Sequence, residues 1–342
     1  MRQFFRWVAI SAGLFCLSLM TAPGSPKPVK SGTEVVAVAG KGPAVLWQEP
    51  RDINTRNLLY GSGGQAGQPR GPFTFIKEDL GGSNPKFDVT DRNGTKWKVK
   101  MGVEARPETV ASRLVWAVGY FSEDDYFVPV ARVEGMPRLR RGRKYVEAGG
   151  TVYNVRLKRE ADGEKKIGTW KWAKDPFTGT REFNGLRVLM ALIDNWDLKD
   201  ENNTILELPG GHPEQIYLVS DLGASFARTG FGWTRRGSKG NLKAYEHSKF
   251  LKRVAAETVT FYVPSRPALD HFPDIPDLKR RLGLRWIGRD IPRADARWMG
   301  DLLDRLSDAQ IKDAFRAAQY SEHDIDGFSR VVEERIRRLR QL

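Results

Sequence analysis

Residues 194–203 read DNWDLKDENN, and residues 216–226 read IYLVSDLGASF. Asp197 and Asn202 stand five positions apart, and Asp221 follows on the far arm of an expected β-hairpin. Phosphoryl transfer needs a base for an incoming hydroxyl and two oxygen ligands for a divalent cation, and these residue types supply them at this kind of spacing. Asp194 and Asn203 offer alternative registers for the same roles. Upstream lie a glycine-containing turn at 81–86, a lysine (Lys100) on the next strand and a glutamate (Glu108) on the next helix. Taken singly, each has a plainer reading: a solvated lysine, a glutamate that favours a helix N-terminus, an acidic turn. The ordered set carries the weight, because independent coincidences must line up.

Other chemistries lack their residues. The four histidines (212, 247, 271 and 323) are far apart and show no paired spacing, which argues against a zinc site. No Gly-x-Ser-x-Gly elbow is present, so a standard serine hydrolase is not indicated. Gly61–Gly64 has the look of a phosphate loop, but no strand precedes it and a flexible linker is the better reading.

The elements that must hold the set can be read from pattern. Residues 25–72, including GSGGQAGQPRGP, read as a linker or loosely packed lead-in. FTFIKED and KFDVTD then read as strands, and FDVTD and TKWKVKM flank an Asn93-Gly94 hairpin signal. Trp97, Val99 and Met101 alternate with Lys96, Lys98 and Lys100, giving one apolar and one basic strand face. RPETVASRLVWAVGY is a helix with Pro107 in its first turn and Gly119 at its end, and DYFVPVARVE returns to strand. This is a small antiparallel sheet with one helix inserted, over 73–134. TVYNVRL and GTWKWA read as strands or a β-rich insertion, and Trp170 and Trp172 would share a strand face, in the core or stacked on a sugar. Leu186, Leu189, Met190 and Ile193 recur at helical spacing before the acidic loop, and ILEL and IYLVS read as a hairpin. The tail is helical, with a Ser307/Gln310 capping box and an apolar stripe through Ile325, Phe328, Val332, Ile336 and Leu339.

GGSNPKFDVTDRNGTKWKVK followed by PETVASRLVWAVGY resembles the N-terminal lobe of HipA-like, atypical protein-kinase-fold proteins. Those proteins tend to carry a Gly-Gly-x-x-Pro-Lys loop, an x-x-Lys strand and a Glu-led helix. DLKDEN and SDLG are similar to the catalytic and metal-binding loops of the kinase superfamily, so the resemblance spans roughly Phe73 to Phe226. It implies an α+β, two-lobed protein-kinase-like fold: the small β lobe, and a larger, mainly helical lobe over 135–342. It also implies ATP with Mg²⁺ or Mn²⁺ as cofactors. Gly81, Gly82, Ser83 and Asn84 would lie over the nucleotide phosphates, with Lys86 reinforcing that loop. Lys100 would neutralise phosphate oxygens and pair with Glu108, with Lys98 and Glu104 as runners-up. Asp197 would be the base, Asn202 and Asp221 the metal ligands, and Lys199 would touch the transferred phosphate. The departures are Lys199, where HipA-like proteins usually show histidine; Asn195-Trp196, where common kinases show His-Arg; and Leu222 in place of phenylalanine.

Composition sets the context. The 342 residues are 40% hydrophobic and carry a net charge of +14, which favours anionic partners such as phosphate groups or acidic envelope polymers. No zinc-finger, RNA-binding or helix-turn-helix signature supports nucleic acid. Arg2 and Arg6 precede an apolar run from Trp7 to Met20, the layout of a signal peptide over 1–24. The run is short for a transmembrane helix, although an uncleaved anchor stays open, and no later segment is long and apolar enough to span. Cys16 is the single cysteine, so removal of the leader leaves no thiol, which suits a bacterial periplasmic or secreted protein held by packing. Two functions compete. One is an exported kinase acting on a protein, sugar or envelope hydroxyl, with adenylyl transfer left open and the nucleotide source outside the cytoplasm unexplained. The other is a non-catalytic kinase-fold protein that binds an anionic envelope polymer or a partner protein.

Overall fold

The computed structural model describes residues 36–37, 42–82, 84–210, 212–226, 239–263 and 282–342. The expected signal peptide and Ser83 lie outside the described residues. Two short strands come first, β1 (Val36–Ala37) and β2 (Pro43–Val45). The segment after them corrects the expectation of a loose lead-in. Leu46, Trp47, Ile53 and Leu58 are buried in the main core. Trp47 Nε1 donates to the Val118 carbonyl at 2.7 Å, and Gln310 Nε2 donates to the carbonyls of Ile53 and Arg56, both at 2.8 Å. A few large apolar residues decide the matter, each contributing about 1.5–3 kcal/mol on burial, and a Gly/Pro-rich average conceals them.

Strands β3 (Phe73–Asp79), β4 (Lys86–Thr90) and β5 (Lys96–Met101) form an antiparallel meander. Asp91 shapes the turn between the last two, its carboxylate accepting from the N–H groups of Asn93 and Thr95 at 2.9 and 3.0 Å. Helix α1 (Ala105–Ala117) follows and ends at Gly119, whose φ of +94° permits the left-handed C-terminal turn. Strands β6 (Asp125–Glu134) and β7 (Thr151–Glu160) come next. The expected small antiparallel sheet closes into a barrel in the order β3-β4-β5-β7-β6. Closure comes from a parallel pairing, Phe73 with Val133, and from β7, which lies beyond the expected 134 boundary and pairs with both β5 and β6. Phe87, Val89, Trp97, Val99, Val155 and Leu157 fill the interior. Lys98 and Lys100, two apart on the same strand, take the opposite face.

Beyond the barrel the chain is mixed. Strand β8 (Lys165–Gly168) stops short of Trp170, so GTWKWA is not a continuous strand. Helix α2 (Arg181–Leu192) starts at Thr180, whose hydroxyl accepts from Phe183 N–H at 3.1 Å. Strands β9 (Asn203–Glu207) and β10 (Gln215–Val219) form the expected hairpin within a sheet of order β1-β2-β10-β9-β8. Helix α3 (Leu242–Glu246) and a small sheet of β11 (Leu251–Val254), β12 (Thr258–Phe261) and β13 (Ile291–Pro292) precede the tail. The tail comprises α4 (Arg293–Leu303), α5 (Asp308–Ala317), which opens on the expected capping box, and α6 (Glu322–Arg340). Buried Arg335 of α6 donates to the carbonyls of Ala191 and Leu192 at 3.3 and 2.8 Å. A guanidinium thus satisfies the C-terminal carbonyls of α2 just where the acidic loop begins. No helix among the described residues is long and apolar enough to cross a membrane.

Candidate functional site

Lys100 projects from the outer face of β5, and its side chain is only 6% exposed. Burying an ammonium is costly unless it is paired, and this one is paired three times. Its Nζ lies 2.8 Å from Glu108 Oε2, 3.2 Å from Asp221 Oδ1 and 3.4 Å from Glu104 Oε2. Burial opposes its charge, but Glu108, then Asp221 and Glu104, raise its pKa above the ordinary lysine value. Glu104 and Glu108 stand one turn apart at the start of α1, so both face the same strand. Lys98, the alternative cation, is taken by Asp79 and Asp88 at 3.1 Å each and by Glu160 at 3.5 Å. Lys100, not Lys98, is therefore the lysine that meets the α1 glutamates and Asp221 together.

The set has partners that sequence reasoning missed. The other oxygen of Glu108 is held by Arg156 of β7, also buried. Glu104 receives Asn84 Nδ2 and Lys239 Nζ, and the Lys239 ammonium lies 5.3 Å from the Trp196 ring centroid. Glu104, a runner-up in the sequence, is therefore the junction of four segments. It meets the 81–86 turn, β5, the chain around 239 and the Asp-Leu-Gly turn, since a Cβ on Gly223 would lie 2.7 Å from Glu104 Cβ. Alternation within TVYNVRL could have flagged Arg156, but nothing local names its partner.

The glycine turn is braced from outside. Arg141 donates to the carbonyls of Gly82, Asp79 and Gly81 at 2.6, 3.0 and 3.2 Å, and Gly81 N–H donates to Asp79 Oδ1 at 2.8 Å. Gly82 has φ +63°, which glycine takes without strain. Lys86 Nζ lies 3.7 Å from Asp79. Burial lowers its pKa below the ordinary value; Lys100 and Lys98 add to this and Asp79 opposes it. An anion brought here would meet a lysine whose charge is only partly balanced.

The acidic loop is fixed by its neighbours. Phe226 N–H donates to the Ile193 carbonyl at 2.7 Å, and Trp196 N–H to the Ala224 carbonyl at 3.3 Å. Asn203 pairs with Val219 across the hairpin, and Ser220 N–H donates to the Asn202 carbonyl at 2.8 Å, so Asn202 stands beside the residue preceding Asp221. Asn202 Nδ2 donates to the Asp197 carbonyl at 2.6 Å. Only the amide nitrogen can face a carbonyl, which leaves Asn202 Oδ1 pointing elsewhere. Asp221 uses Oδ1 for Lys100 and for Gly223 N–H at 3.3 Å. Burial works against its charge, yet Lys100 holds its pKa down at about 2. Lys199 Nζ lies 3.3 Å from Asp197 Oδ1. Asp194 is fully buried and Asn203 donates to the Trp170 carbonyl at 3.1 Å, so both alternative registers point into the core.

The donor chemistry can be tested against a divalent cation. Glu104, Glu108 and Asp221 bring carboxylate oxygens within 4.8 Å of one another, but the Lys100 ammonium already sits among them. The better fit is Asn202 Oδ1 with Asp221 Oδ2, neither of which has a hydrogen-bond partner among the described residues. Amide and carboxylate oxygens suit magnesium. Beside this end, a cavity of about 520 Å³ opens between the barrel and the hairpin, lined among others by Lys98, Glu160, Asp162, Thr204, Leu206 and Ser220. It lies within the size range of small-ligand sites, about 300–1,000 Å³. Trp170 and Trp172 are 3% and 0% exposed and pack edge-on at 4.8 Å, so sugar stacking is excluded and the core reading holds.

No family model and no curated protein matches this sequence. Among solved structures, the chain is similar to the crystal structure of a Helicobacter pylori proinflammatory kinase, CtkA. The TM-score is 0.45 and the identity 12%, over 80% of this chain and 98% of that chain. At that level no role passes from one protein to the other.

Proposed function

We propose that this protein is a kinase-type phosphotransferase, HipA-like in its small lobe, that moves a phosphoryl group from a magnesium-bound nucleotide to a hydroxyl. The observation that carries this reading is Lys100, buried between a helix glutamate and Asp221, while Asn202 Oδ1 and Asp221 Oδ2 accept no hydrogen bond among the described residues. The magnesium nucleotide, when bound, supplies the phosphoryl group and neutralises its charge. Asn202 Oδ1 and Asp221 Oδ2 would hold the cation. Lys100 and Lys86 would meet phosphate oxygens, and Gly81, Gly82, Ser83 and Asn84 would cover them. Asp197 would accept the proton of the incoming hydroxyl, held in place by Asn202, with Lys199 beside it. The apolar run from Trp7 to Met20 supports export as the setting, which periplasmic fractionation of a tagged chain would check.

Thermal unfolding with and without Mg–ATP tests the site. At 100 times its dissociation constant the ligand should stabilise the protein by about 2.7 kcal/mol, and Asp221→Ala should lose that shift. No shift in either protein would remove the nucleotide reading. Asp197→Ala then separates the chemistries: it abolishes phosphoryl transfer, whereas adenylyl transfer from a reversed nucleotide survives it.

A further inference from the structure

A second cavity, of about 360 Å³, is lined by Gly102 and Val103 between β5 and α1, by Arg106, by Lys144 and Tyr145, and by Tyr153 of β7. It shares no lining residue with the 520 Å³ cavity. Val103 and Tyr153 are 55% and 40% exposed, large apolar surface that folding leaves open. Val130 stands opposite Tyr153 across the β6–β7 ladder and is 55% exposed as well, so the apolar strip continues past the mouth. Scattered single apolar residues need no explanation, but a contiguous set around a cavity does.

The walls also carry unbalanced charge. Neither Arg106 nor Lys144 makes an ion pair among the described residues. Arg106 donates to Asn154 Oδ1 at 3.4 Å and lies over the rings of Phe127 and Tyr320, and Lys144 lies over Tyr145. The lining carboxylate, Glu147, accepts from the Tyr153 hydroxyl at 3.0 Å. Two cations against one carboxylate leave the lining net positive beside exposed apolar surface, which suits an anion with an apolar body. We infer that this cavity binds a small organic acid with an apolar body, its carboxylate between Arg106 and Lys144 and its hydrocarbon on Val103, Tyr145 and Tyr153. The anion gains charge-assisted hydrogen bonds and the body covers exposed apolar area.

The position gives the site a consequence. Gly102 has φ +93°, and a Cβ there would lie 3.0 Å from the Tyr145 hydroxyl, so the turn is packed against the cavity wall. Lys100 leaves the chain just before that turn and Glu104 just after it. A ligand on Val103 therefore bears on the geometry of both. That link rests on the function proposed above; the binding itself does not.

Calorimetric titration of the purified protein with phenylpropionate and with octanoate tests the site, with uncharged phenylpropanol as control. The expected result is one-site binding of at least one acid, weakened about tenfold in Lys144→Gln, Arg106→Gln and Val103→Glu, and about tenfold weaker for the alcohol, as the loss of a charge-assisted contact predicts. Lys144 and Val103 are exposed, so those two variants should unfold at the wild-type temperature. The inference falls if neither acid binds at millimolar concentration, or if binding is indifferent to all three substitutions. Binding that leaves Mg–nucleotide affinity unchanged keeps the site and removes its link to the cleft.

Discussion

Helix α1 carries two sets of buried charge, and they are finished differently. Toward the barrel, Arg113 donates to the Asp125 carboxylate at 3.2 Å and to its carbonyl at 2.6 Å, while Ser112 donates to the same carboxylate at 2.9 Å. Both charged side chains are 2% exposed, and the pair faces only protein. On the other side, Lys100 is 6% exposed, but one of its partners, Asp221, keeps a side chain that is 36% exposed with an oxygen to spare. Density of buried charge marks where a fold is held. An unfilled acceptor at the edge of such a set marks where it can take a ligand.

The sharpest way to separate the two sets is to remove one charge from each. Asp197→Asn should lower phosphoryl transfer about a thousandfold or more, measured with labelled nucleotide, with little change in the urea midpoint. Arg113→Ala should do the reverse. Leaving Asp125 buried and unpaired should cost about 3–5 kcal/mol in urea unfolding, with nucleotide affinity unchanged in the folded fraction. If both substitutions damaged stability alike, the distinction between a holding and a working set would collapse.

How much of this could be read from sequence depends on the range of the interaction. Strands β3 to β5, α1, α2, the β9–β10 hairpin and the Ser307/Gln310 cap are set by nearby residues, and their patterns show it. Closure of the barrel by β7 and burial of Leu46, Trp47, Ile53 and Leu58 depend on partners far along the chain, which leave no local trace. The site divides the same way. Lys100, Glu108 and Asp221, flagged by their order, are brought together around one ammonium, and Asn202 is held to Ser220, the residue before Asp221. Arg156 and Lys239 complete the charge balance from distant segments, and Trp170 and Trp172, equally conspicuous in sequence, turn out to be core.

Smaller effects refine the comparison. Gly223→Ala should cost about 1–3 kcal/mol as an overpacked contact, because its Cβ would meet Glu104; weaker nucleotide binding in that variant would show that the Asp-Leu-Gly turn and α1 must touch. The acid limb gives the slightest signal. Asp221 is depressed to about 2 from an ordinary 3.8, so its contribution to stability is complete above the unfolded value and fades as pH falls through about 2. Acid titration of Asp221→Asn should lack that increment, and a curve identical to wild type would mean that Lys100 does not pair with it.

The parallel pairing of β2 with β10, Ala44 beside Gln215, also bears on the order in which the molecule comes into being. Most barrel strands meet a neighbour that lies close by in the chain, so they can zip early. The other sheet must wait for a distant stretch to find its place, and such closures are slow. Asn202 and Asp221 flank the β9–β10 hairpin, which is itself local. What must wait is the docking of that hairpin against β2, so during refolding the hairpin and the barrel should each form before the sheet that includes β2 is complete.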